Sequence, residues 1–313
     1  MIIELTLQLG LVLLAAPLLL TLAKKTKAFW QSRQGPRLLQ GYYDLVKLLR
    51  KDILLSEHAT WIFVAAPTII LACYLTASTL VPIARPTAPL GFVGDLFLLV
   101  YLLATARFFM ALGGLDPASP FGGLGSSREV TFAALIEPGL LVSFLTLVAV
   151  SGTTSLDAMS APLHAGILAV PPTLALALAA LLVLIVAELN RVPVDNPATH
   201  LELTMVHEAM VLEHTGPNLA FIELANGVKH AVLLAIVATV FVPWNPADPT
   251  TLLGGLAWSF VTLAKMALLM VLIATSESWM AKWRVFRVPE LTTIAFLLAF
   301  LAALGSVLAY GGT

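Results

Sequence analysis

Six ionisable residues lie inside long apolar runs of this 313-residue sequence. They are Arg107, Glu137, Glu188, Glu223, Lys229 and Lys265. A charge at the centre of a membrane helix costs about 2.5–3.5 kcal/mol on insertion scales, so each is expected to have a partner or a function. Carboxyl groups linked by water can pass protons along. The set therefore predicts an ion relay. The alternative is structural pairing, such as Lys229 with Glu137 or Glu223 with a neighbouring helix end.

Three histidines recur every seven residues, which would place them on one helical stripe. They are His200, His207 and His214. Three glutamates lie near them: Glu202, Glu208 and Glu213. A zinc-binding helix needs a second histidine four residues after the first, and the residue four after His207 is Val211. The pattern therefore favours a polar docking surface over a metal site.

The composition excludes several classes of protein. Hydrophobic residues make up 59% of the chain and charged residues 11%, whereas a soluble domain is about 25% charged. The single cysteine, Cys73, cannot supply the thiolate set that an Fe–S cluster needs. The net charge of −1 argues against a nucleic-acid partner. We expect a membrane protein that binds no cofactor of its own.

Eight segments are long and apolar enough to cross a membrane, which takes about 20 residues. They cover 3–23, 60–83, 92–113, 130–151, 166–190, 219–243, 251–276 and 289–309. The double proline at Pro171 and Pro172 leaves open whether the fifth span begins there or is kinked. The predicted fold is an all-α integral membrane protein, one domain over 1–313, with eight transmembrane helices and a cytoplasmic amphipathic helix.

The basic residues predict the orientation, because Lys and Arg are enriched in cytoplasmic loops. Thirteen lie in the loops after the first, third, fifth and seventh spans, and only Arg85 lies on the opposite side. We therefore expect a multi-pass protein of the cell's inner (plasma) membrane with both termini outside.

Three loops would then face the cytoplasm: 24–59, 114–129 and 191–218. Within the first, Pro36 to Arg50 has apolar residues at helical spacing and charged residues on the other side. Proline suits the first position of a helix. This segment is predicted to be a short amphipathic helix lying along the membrane interface.

Several strings resemble the subunit 1 family of respiratory complex I. The string RQGP at 33–36 matches its Arg-x-Gly-Pro, and AELNRVPVD at 187–195 is similar to its Ala-Glu-x-Asn-Arg-x-Pro-Phe-Asp. The string EHTG at 213–216 resembles its Glu-Tyr-Ser-Gly.

Other strings resemble a particular branch of that family. They are ARFF at 106–109, GLDPASPF at 114–121 and GSSRE at 125–129, together with DNPATHLE at 195–202 and HEAMVLE at 207–213. These are similar to the membrane anchor of formate hydrogenlyase and hydrogenase-4-type complexes, the group 4 [NiFe] hydrogenases. The resemblance runs from about residue 30 to 290.

The resemblance implies a role in an assembly. Members of this family connect a peripheral redox module, which carries Fe–S clusters and in hydrogenases a Ni–Fe centre in its large and small subunits, to antiporter-like membrane subunits. By motif position or burial, the ion-path candidates are Glu137, Glu188, Glu202, Glu213, Glu223, Lys229 and Lys265. The candidates for the cytoplasmic docking face are Arg33, Arg37, Arg107, Asp116, Arg128, Glu129, Arg191 and Asp195. Lipid is the remaining expected partner.

One departure from complex I bears on the alternatives. The run of glutamates that follows Pro-x-Asp in complex I is reduced here to Glu202, which argues against quinone chemistry, and His200 is a candidate substitute for proton delivery. The first hypothesis is a hydrogenase-type anchor and coupling subunit that links the peripheral redox module to proton or sodium translocation. The alternatives are a quinone-site subunit of a complex I-like dehydrogenase and a stand-alone secondary transporter, although no internal repeat supports the latter.

Overall fold

The computed structural model describes residues 2–159, 171–195, 205–245 and 251–310, and in this part of the chain all regular secondary structure is helical, with no strand. The first half contains α1 (Ile2–Trp30), α2 (Gln40–Leu49), α3 (Trp61–Thr79), α4 (Leu96–Leu115), α5 (Pro120–Ser151) and the short α6 (Leu156–Met159). The second half contains α7 (Pro172–Glu188), α8 (His207–Val211), α9 (Gly216–Ile236), α10 (Leu252–Trp279) and α11 (Val288–Tyr310).

Seven of the described helices are long and apolar enough to cross a membrane. The eighth candidate, α7, is apolar but has 17 residues, which corresponds to about 26 Å at 1.5 Å per residue, slightly less than the hydrocarbon core of about 30 Å. It begins at Pro172, so the double proline starts this helix, and the predicted residues 166–170 lie outside the described part. The predicted class, an all-α multi-pass membrane protein, is confirmed.

Helix α9 is the central element of the bundle. It is buried along most of its length, with α1 on one side and α3 on the other. Helix α10 packs on the far side of α1, and α4, α5, α7 and α11 continue the bundle beyond α3. A Cβ atom on Gly227 would lie 3.0 Å from the Cβ of Ala16, so the glycine allows α9 to approach α1 closely.

Helix α5 begins ten residues before the predicted start of its span, so most of 114–129 is helical and is not a loop. Pro120 occupies the first turn, where its missing N–H costs nothing. A Cβ atom on Gly122 would lie 2.1 Å from the carbonyl oxygen of Gly114. This small residue therefore lets the start of α5 pack directly on the end of α4, an inter-helix contact that hydropathy alone does not reveal.

The amphipathic helix is present as α2, which begins at Gln40, four residues after the predicted Pro36. None of its residues is buried. Gly41 lies against Pro17 and Thr21 of α1, and the Tyr42 hydroxyl donates a hydrogen bond to the Leu14 carbonyl. The helix therefore lies across α1 near the end of the bundle that carries most basic residues, which we call the basic end.

The two long loops at the basic end are joined to each other. The Leu54 amide donates to Thr215 Oγ1 (2.8 Å), which in turn donates to the Leu54 carbonyl (3.3 Å). Gly216 has φ = +55°, and a Cβ there would lie 2.6 Å from the Asp52 carbonyl oxygen. Only glycine fits both the left-handed backbone and this close approach.

Candidate functional site

The buried charges meet around one arginine. Arg107 of α4 is 6% exposed, and its guanidinium contacts Glu188 at the end of α7 and Glu137 of α5, with 2.6 Å between Nη1 and the Glu137 Oε1. Its Nε lies 3.5 Å from an oxygen of Glu129. Three carboxyl groups from two helices therefore share one guanidinium.

A second cation completes this group. Lys229 of α9 places its Nζ 2.8 Å from the Glu188 Oε1, and it also donates to the Glu188 backbone carbonyl at 2.7 Å. The suggested pairing of Lys229 with Glu137 is therefore wrong, because Arg107 lies between α9 and α5 and takes Glu137. We call Arg107, Glu129, Glu137, Glu188 and Lys229 the central cluster; it holds two cations and three carboxyl groups.

Exposure differs sharply within the central cluster. The side chains of Arg107, Glu129, Glu188 and Lys229 are at most 9% exposed, whereas that of Glu137 is 37% exposed. Glu137 is therefore the member that reaches the outer surface of the bundle. The other members lie in the interior, where ionic groups are stable only when paired.

The turn after α7 positions one carboxyl group of the central cluster. Asn190 adopts φ = +50°, a left-handed conformation that asparagine tolerates better than most residues. Its side-chain Nδ2 donates to Glu129 Oε2 at 3.1 Å. The same turn leads to Arg191 and so connects the central cluster to the loop that follows.

A small cavity adjoins the central cluster. Its volume is about 30 Å³ and its walls include Tyr74, Glu129, Asn190, His207 and Lys229, so it is polar and has room for about one water molecule.

A larger polar cavity of about 320 Å³ lies next to it, toward the basic end. We call it the vestibule. Its charged and titratable walls are Lys24, Lys27, Arg191, Asp195, His207, Glu208, Glu223 and His230. It shares Leu189, Asn190, His207 and Asn226 with the small cavity. The two cavities therefore adjoin along these four residues, and we call the pair the polar passage, which extends from the basic end to the central cluster.

A second buried ionic group forms one wall of the vestibule. Glu277 of α10 has a fully buried carboxylate that pairs with Lys27 of α1 and lies 3.7 Å from Arg191 Nη1. Arg191 also donates from Nε to His230 Nε2 at 3.1 Å, and His230 Nδ1 lies 2.8 Å from the Asn226 carbonyl. A histidine that accepts on one nitrogen and donates from the other is neutral.

This second group is not evident from the sequence pattern. Lys27 lies among the basic residues of the first loop, and Glu277 lies one residue beyond the predicted end of the seventh span. Extending that span by one turn would have shown a carboxylate inside a membrane helix, the same signal that identified Glu137.

Comparison with known proteins places the chain in a family. The sequence model of the NADH dehydrogenase family matches residues 3–308. Formate hydrogenlyase subunit 4 of Escherichia coli (strain K12) is 33% identical over 294 residues, which cover 94% of this chain and 95% of that protein. The chain belongs to the NADH dehydrogenase subunit 1 family.

Other members of this family are similar over most of their length. Hydrogenase-4 component C of the same Escherichia coli strain is 32% identical, over 93% of this chain and 91% of that protein. NADH-quinone oxidoreductase subunit 8 of Rhodothermus marinus is 26% identical, over 75% of this chain and 72% of that protein. The family resemblance drawn from the motifs is thus confirmed.

The fold also matches a solved structure. A chain of the membrane-bound sulfane sulfur reductase, an archaeal respiratory membrane complex, superposes with a TM-score of 0.86 over 97% of this chain and 99% of that chain. The identity is 17%, so the match concerns the fold alone.

In this member of the family, the predicted ion-path residues lie in several different places. Glu137, Glu188 and Lys229 belong to the central cluster, and Glu223 lines the vestibule. Glu213 is exposed between α8 and α9 and belongs neither to the central cluster nor to the walls of the vestibule. Glu202 and the neighbouring His200 lie outside the described residues.

Lys265 has a different environment from the one expected. It donates to the carbonyl oxygens of Val242 (2.8 Å) and Ala238 (3.3 Å), at the π-helical turn Val237–Phe241 that ends α9. A π-helical turn leaves carbonyl groups without their usual partners. The geometry thus gives Lys265 a local structural contact, separate from the central cluster.

The predicted docking residues lie partly near the surface and partly in the interior of the protein. Arg33 and Arg37 are exposed, and half-buried Arg128 donates to the Met205 carbonyl at 2.9 Å. Asp116 accepts hydrogen bonds from the amide and the hydroxyl of Thr60, both 2.6 Å, and thereby ties the end of α4 to the start of α3.

The remaining four docking candidates lie in the interior. Arg107 and Glu129 belong to the central cluster, and Arg191 is buried beside Glu277. Asp195 is 2% exposed, pairs with Lys282 at 2.6 Å and accepts from the Val206 amide at 3.1 Å. Each of these four charges is compensated within the chain, and their contribution to a docking face stays a prediction.

The histidine stripe is not continuous. Helix α8 ends at Val211, so His207 and His214 lie on different elements. His207 lines the vestibule, and His214 stacks on Phe63 with ring centroids 4.0 Å apart. Among the described residues, no group of three or more His, Cys, Asp or Glu side chains is arranged to hold a metal ion.

Proposed function

We propose that this chain is the membrane anchor and coupling subunit of a hydrogenase-type redox complex, in which it links electron transfer in a peripheral module to proton translocation. The relatives named above, subunits of formate hydrogenlyase and hydrogenase-4, support the hydrogenase assignment. The polar passage from the vestibule to the central cluster is the observation that carries the coupling role.

The vestibule is the proposed point of proton access. We assign the basic end to the cytoplasm because positively charged loops stay on that side of a membrane. Glu223 and Glu208 bring carboxyl groups to the vestibule wall, and His207 lines both cavities. A water molecule in the small cavity would connect this wall to Glu129 and Lys229.

The central cluster is the proposed site where a proton is held. Its three carboxyl groups exceed its two cations by one, and an uncompensated charge in the interior is costly. The cluster reaches neutrality by binding one proton. Sodium is a poorer fit, because Arg107 and Lys229 repel a cation and already take both carboxylate oxygens of Glu188.

Glu137 is the proposed exit. It is the most exposed member of the central cluster and lies on the outer surface of α5 while bonded to Arg107. A proton that leaves there enters a neighbouring antiporter-like membrane subunit. In this proposal the hydrogenase-like large and small subunits, with Fe–S clusters and a Ni–Fe centre, dock at the basic end.

The test uses the complete complex, purified with its partner subunits and reconstituted into liposomes. Redox turnover and proton uptake are measured together in wild type, Glu188→Gln and Glu137→Gln. We expect turnover to continue while proton uptake falls to the rate of passive leak. Glu57→Gln, an exposed carboxylate in the loop between α2 and α3, serves as the control and should leave both unchanged.

Each other outcome has a definite meaning. Normal proton uptake in Glu137→Gln would contradict the proposed exit. This result can be interpreted even if Glu188→Gln, which changes a fully buried residue, fails to fold. Quinone-dependent oxidation by a complex without nickel would replace the hydrogenase assignment with the dehydrogenase one. A chain that purifies without redox partners would overturn both.

A further inference from the structure

An apolar groove of about 690 Å³ runs between α1 and α10 on the outside of the bundle. Its walls include Leu7, Leu11, Leu14 and Leu18 of α1 and Leu256 and Leu263 of α10. From Leu7 to Leu22 it follows α1 for about 22 Å, at 1.5 Å per residue. One leaflet of the hydrocarbon core is about 15 Å thick, so the groove is long enough for an acyl chain.

The polar side chains of this groove all have partners inside the chain. Thr6 Oγ1 donates to the Ile3 carbonyl at 3.0 Å, and Ser259 Oγ donates to the Ala84 carbonyl at 2.8 Å. The Tyr42 hydroxyl donates to the Leu14 carbonyl. Any occupant therefore meets hydrocarbon and hydroxyl groups whose protons are already donated, which suits an acyl chain and leaves no free donor for a polar ligand.

One end of the groove is positively charged. The leucines of α1 that line it recur every three or four residues, and the same stripe continues to Lys25 and Phe29, both exposed. The loop after α1 folds back against Lys25, because a Cβ on Gly35 would lie 3.1 Å from the Lys25 Cα. This places the exposed Arg33 and Arg37 in the loop beside Lys25.

The opposite end of the groove carries a compensated pair. Glu4 accepts a hydrogen bond from Arg85 at 3.0 Å, so neither charge is in excess there. Among the described residues, the groove is therefore apolar along its length and cationic at one end only. This charge at one end is not required for packing of a partner's transmembrane helix. It complements an amphiphile that has an anionic headgroup and a hydrocarbon chain.

We propose that this groove binds one anionic phospholipid, with an acyl chain between α1 and α10 and the phosphate beside Lys25, Arg33 and Arg37. Cations close to an anionic headgroup attract it, and the hydrocarbon chain gains from burial against leucine side chains. The site is on the opposite side of α1 from the vestibule and does not depend on the coupling role proposed above.

The test is quantitative lipid analysis of the complete complex, purified gently and exchanged into nanodiscs that contain phosphatidylglycerol and phosphatidylcholine in equal amounts. Gly10→Phe places a ring in the groove, because Gly10 lines it and no atom lies within 4 Å of a Cβ at that position. Gly123→Phe on α5 is the matched control, because its Cβ position is equally free. We expect Gly10→Phe to lose the tightly bound phospholipid and Gly123→Phe to retain it.

The headgroup is tested separately with Lys25→Glu, for which Lys51→Glu is the control. We expect the preference for phosphatidylglycerol over phosphatidylcholine to fall by about fivefold or more in Lys25→Glu alone. Unchanged lipid content in Gly10→Phe would overturn the proposal. So would loss of a membrane partner subunit with lipid unchanged, which would identify a helix site, or a neutral isoprenoid recovered from the groove.

Discussion

At the residue scale, His214 illustrates how burial alone sets the charge of a side chain. Its ring lies parallel to that of Phe63, with an interplanar angle of 2°, and the residue is 3% exposed. Desolvation lowers the pKa of His214 to about 4. The imidazole is therefore neutral at physiological pH, and its role is to join the start of α9 to α3.

This state of His214 predicts how stability depends on pH. Between pH 6.5 and about 4 the unfolded chain binds a proton at this residue and the folded chain does not. Stability therefore declines as the pH falls through that interval, by about 3 kcal/mol in full. Thermal unfolding of the purified protein in detergent, measured from pH 7 to 4.5, should show this decline in wild type and a flatter curve in His214→Gln.

The comparison needs a matched control, because other groups also change charge in this range. His58→Gln removes an exposed histidine and should reproduce the wild-type curve. An identical pH dependence in wild type and His214→Gln would show that the ring is accessible to protons in the folded protein.

At the element scale, glycines decide how closely the helices approach. Gly122 and Gly123 are adjacent in α5, yet a Cβ on the first would lie 2.1 Å from a backbone oxygen of α4 and a Cβ on the second would meet no atom within 4 Å. Backbone atoms cannot move aside as a flexible side chain can. The two positions therefore have opposite requirements although their residue type and helix are the same.

We expect Gly122→Ala to destabilise the protein by about 1–3 kcal/mol through this overlap. Gly123→Ala should be neutral or slightly stabilising, because alanine favours a helix by up to about 1 kcal/mol over glycine. Melting temperatures of the two variants in the same detergent measure the difference. Equal effects would mean that α4 and α5 are further apart than described.

At the scale of the whole molecule, Glu277 joins parts of the chain that are far apart in sequence. It pairs with Lys27 of α1, lies beside Arg191 after α7, and Arg191 in turn bonds to His230 of α9. The carboxylate thus holds the vestibule wall together and compensates two cations that the membrane interior would otherwise disfavour.

Removal of this carboxylate should weaken the whole bundle. We expect Glu277→Gln to cost about 3 kcal/mol, because it leaves the buried Arg191 and the half-buried Lys27 without an anion. Lys27→Met should lower the free energy of unfolding by less, because Glu277 is still paired with Arg191 in that variant. The measurement is thermal unfolding. Glu290→Gln, which changes an exposed carboxylate at the start of α11, is the control. Equal melting temperatures for Glu277→Gln and Glu290→Gln would contradict the role of Glu277.

The order of residues alone was enough to establish the spans, the amphipathic segment and the family. These depend on properties that each residue carries wherever it lies, namely the free energy of transfer into lipid and the identity of short motifs. The same reading identified Arg107, Glu137, Glu188 and Lys229 as unusual, because a charge within an apolar run is visible without any structure.

Which of these charges meet depended on the packing of the helices. Arg107 and Glu188 are 81 positions apart, and their contact requires a particular rotation of α4 and α7 and a particular depth of each in the bundle. Hydropathy contains no information on rotation, so the pairing of Lys229, the interior position of Arg191 and the contact of Lys265 with α9 were not predictable. The polar passage likewise exists only between packed helices, because its walls come from α1, α3, α4, α5, α8 and α9 and from the turn after α7.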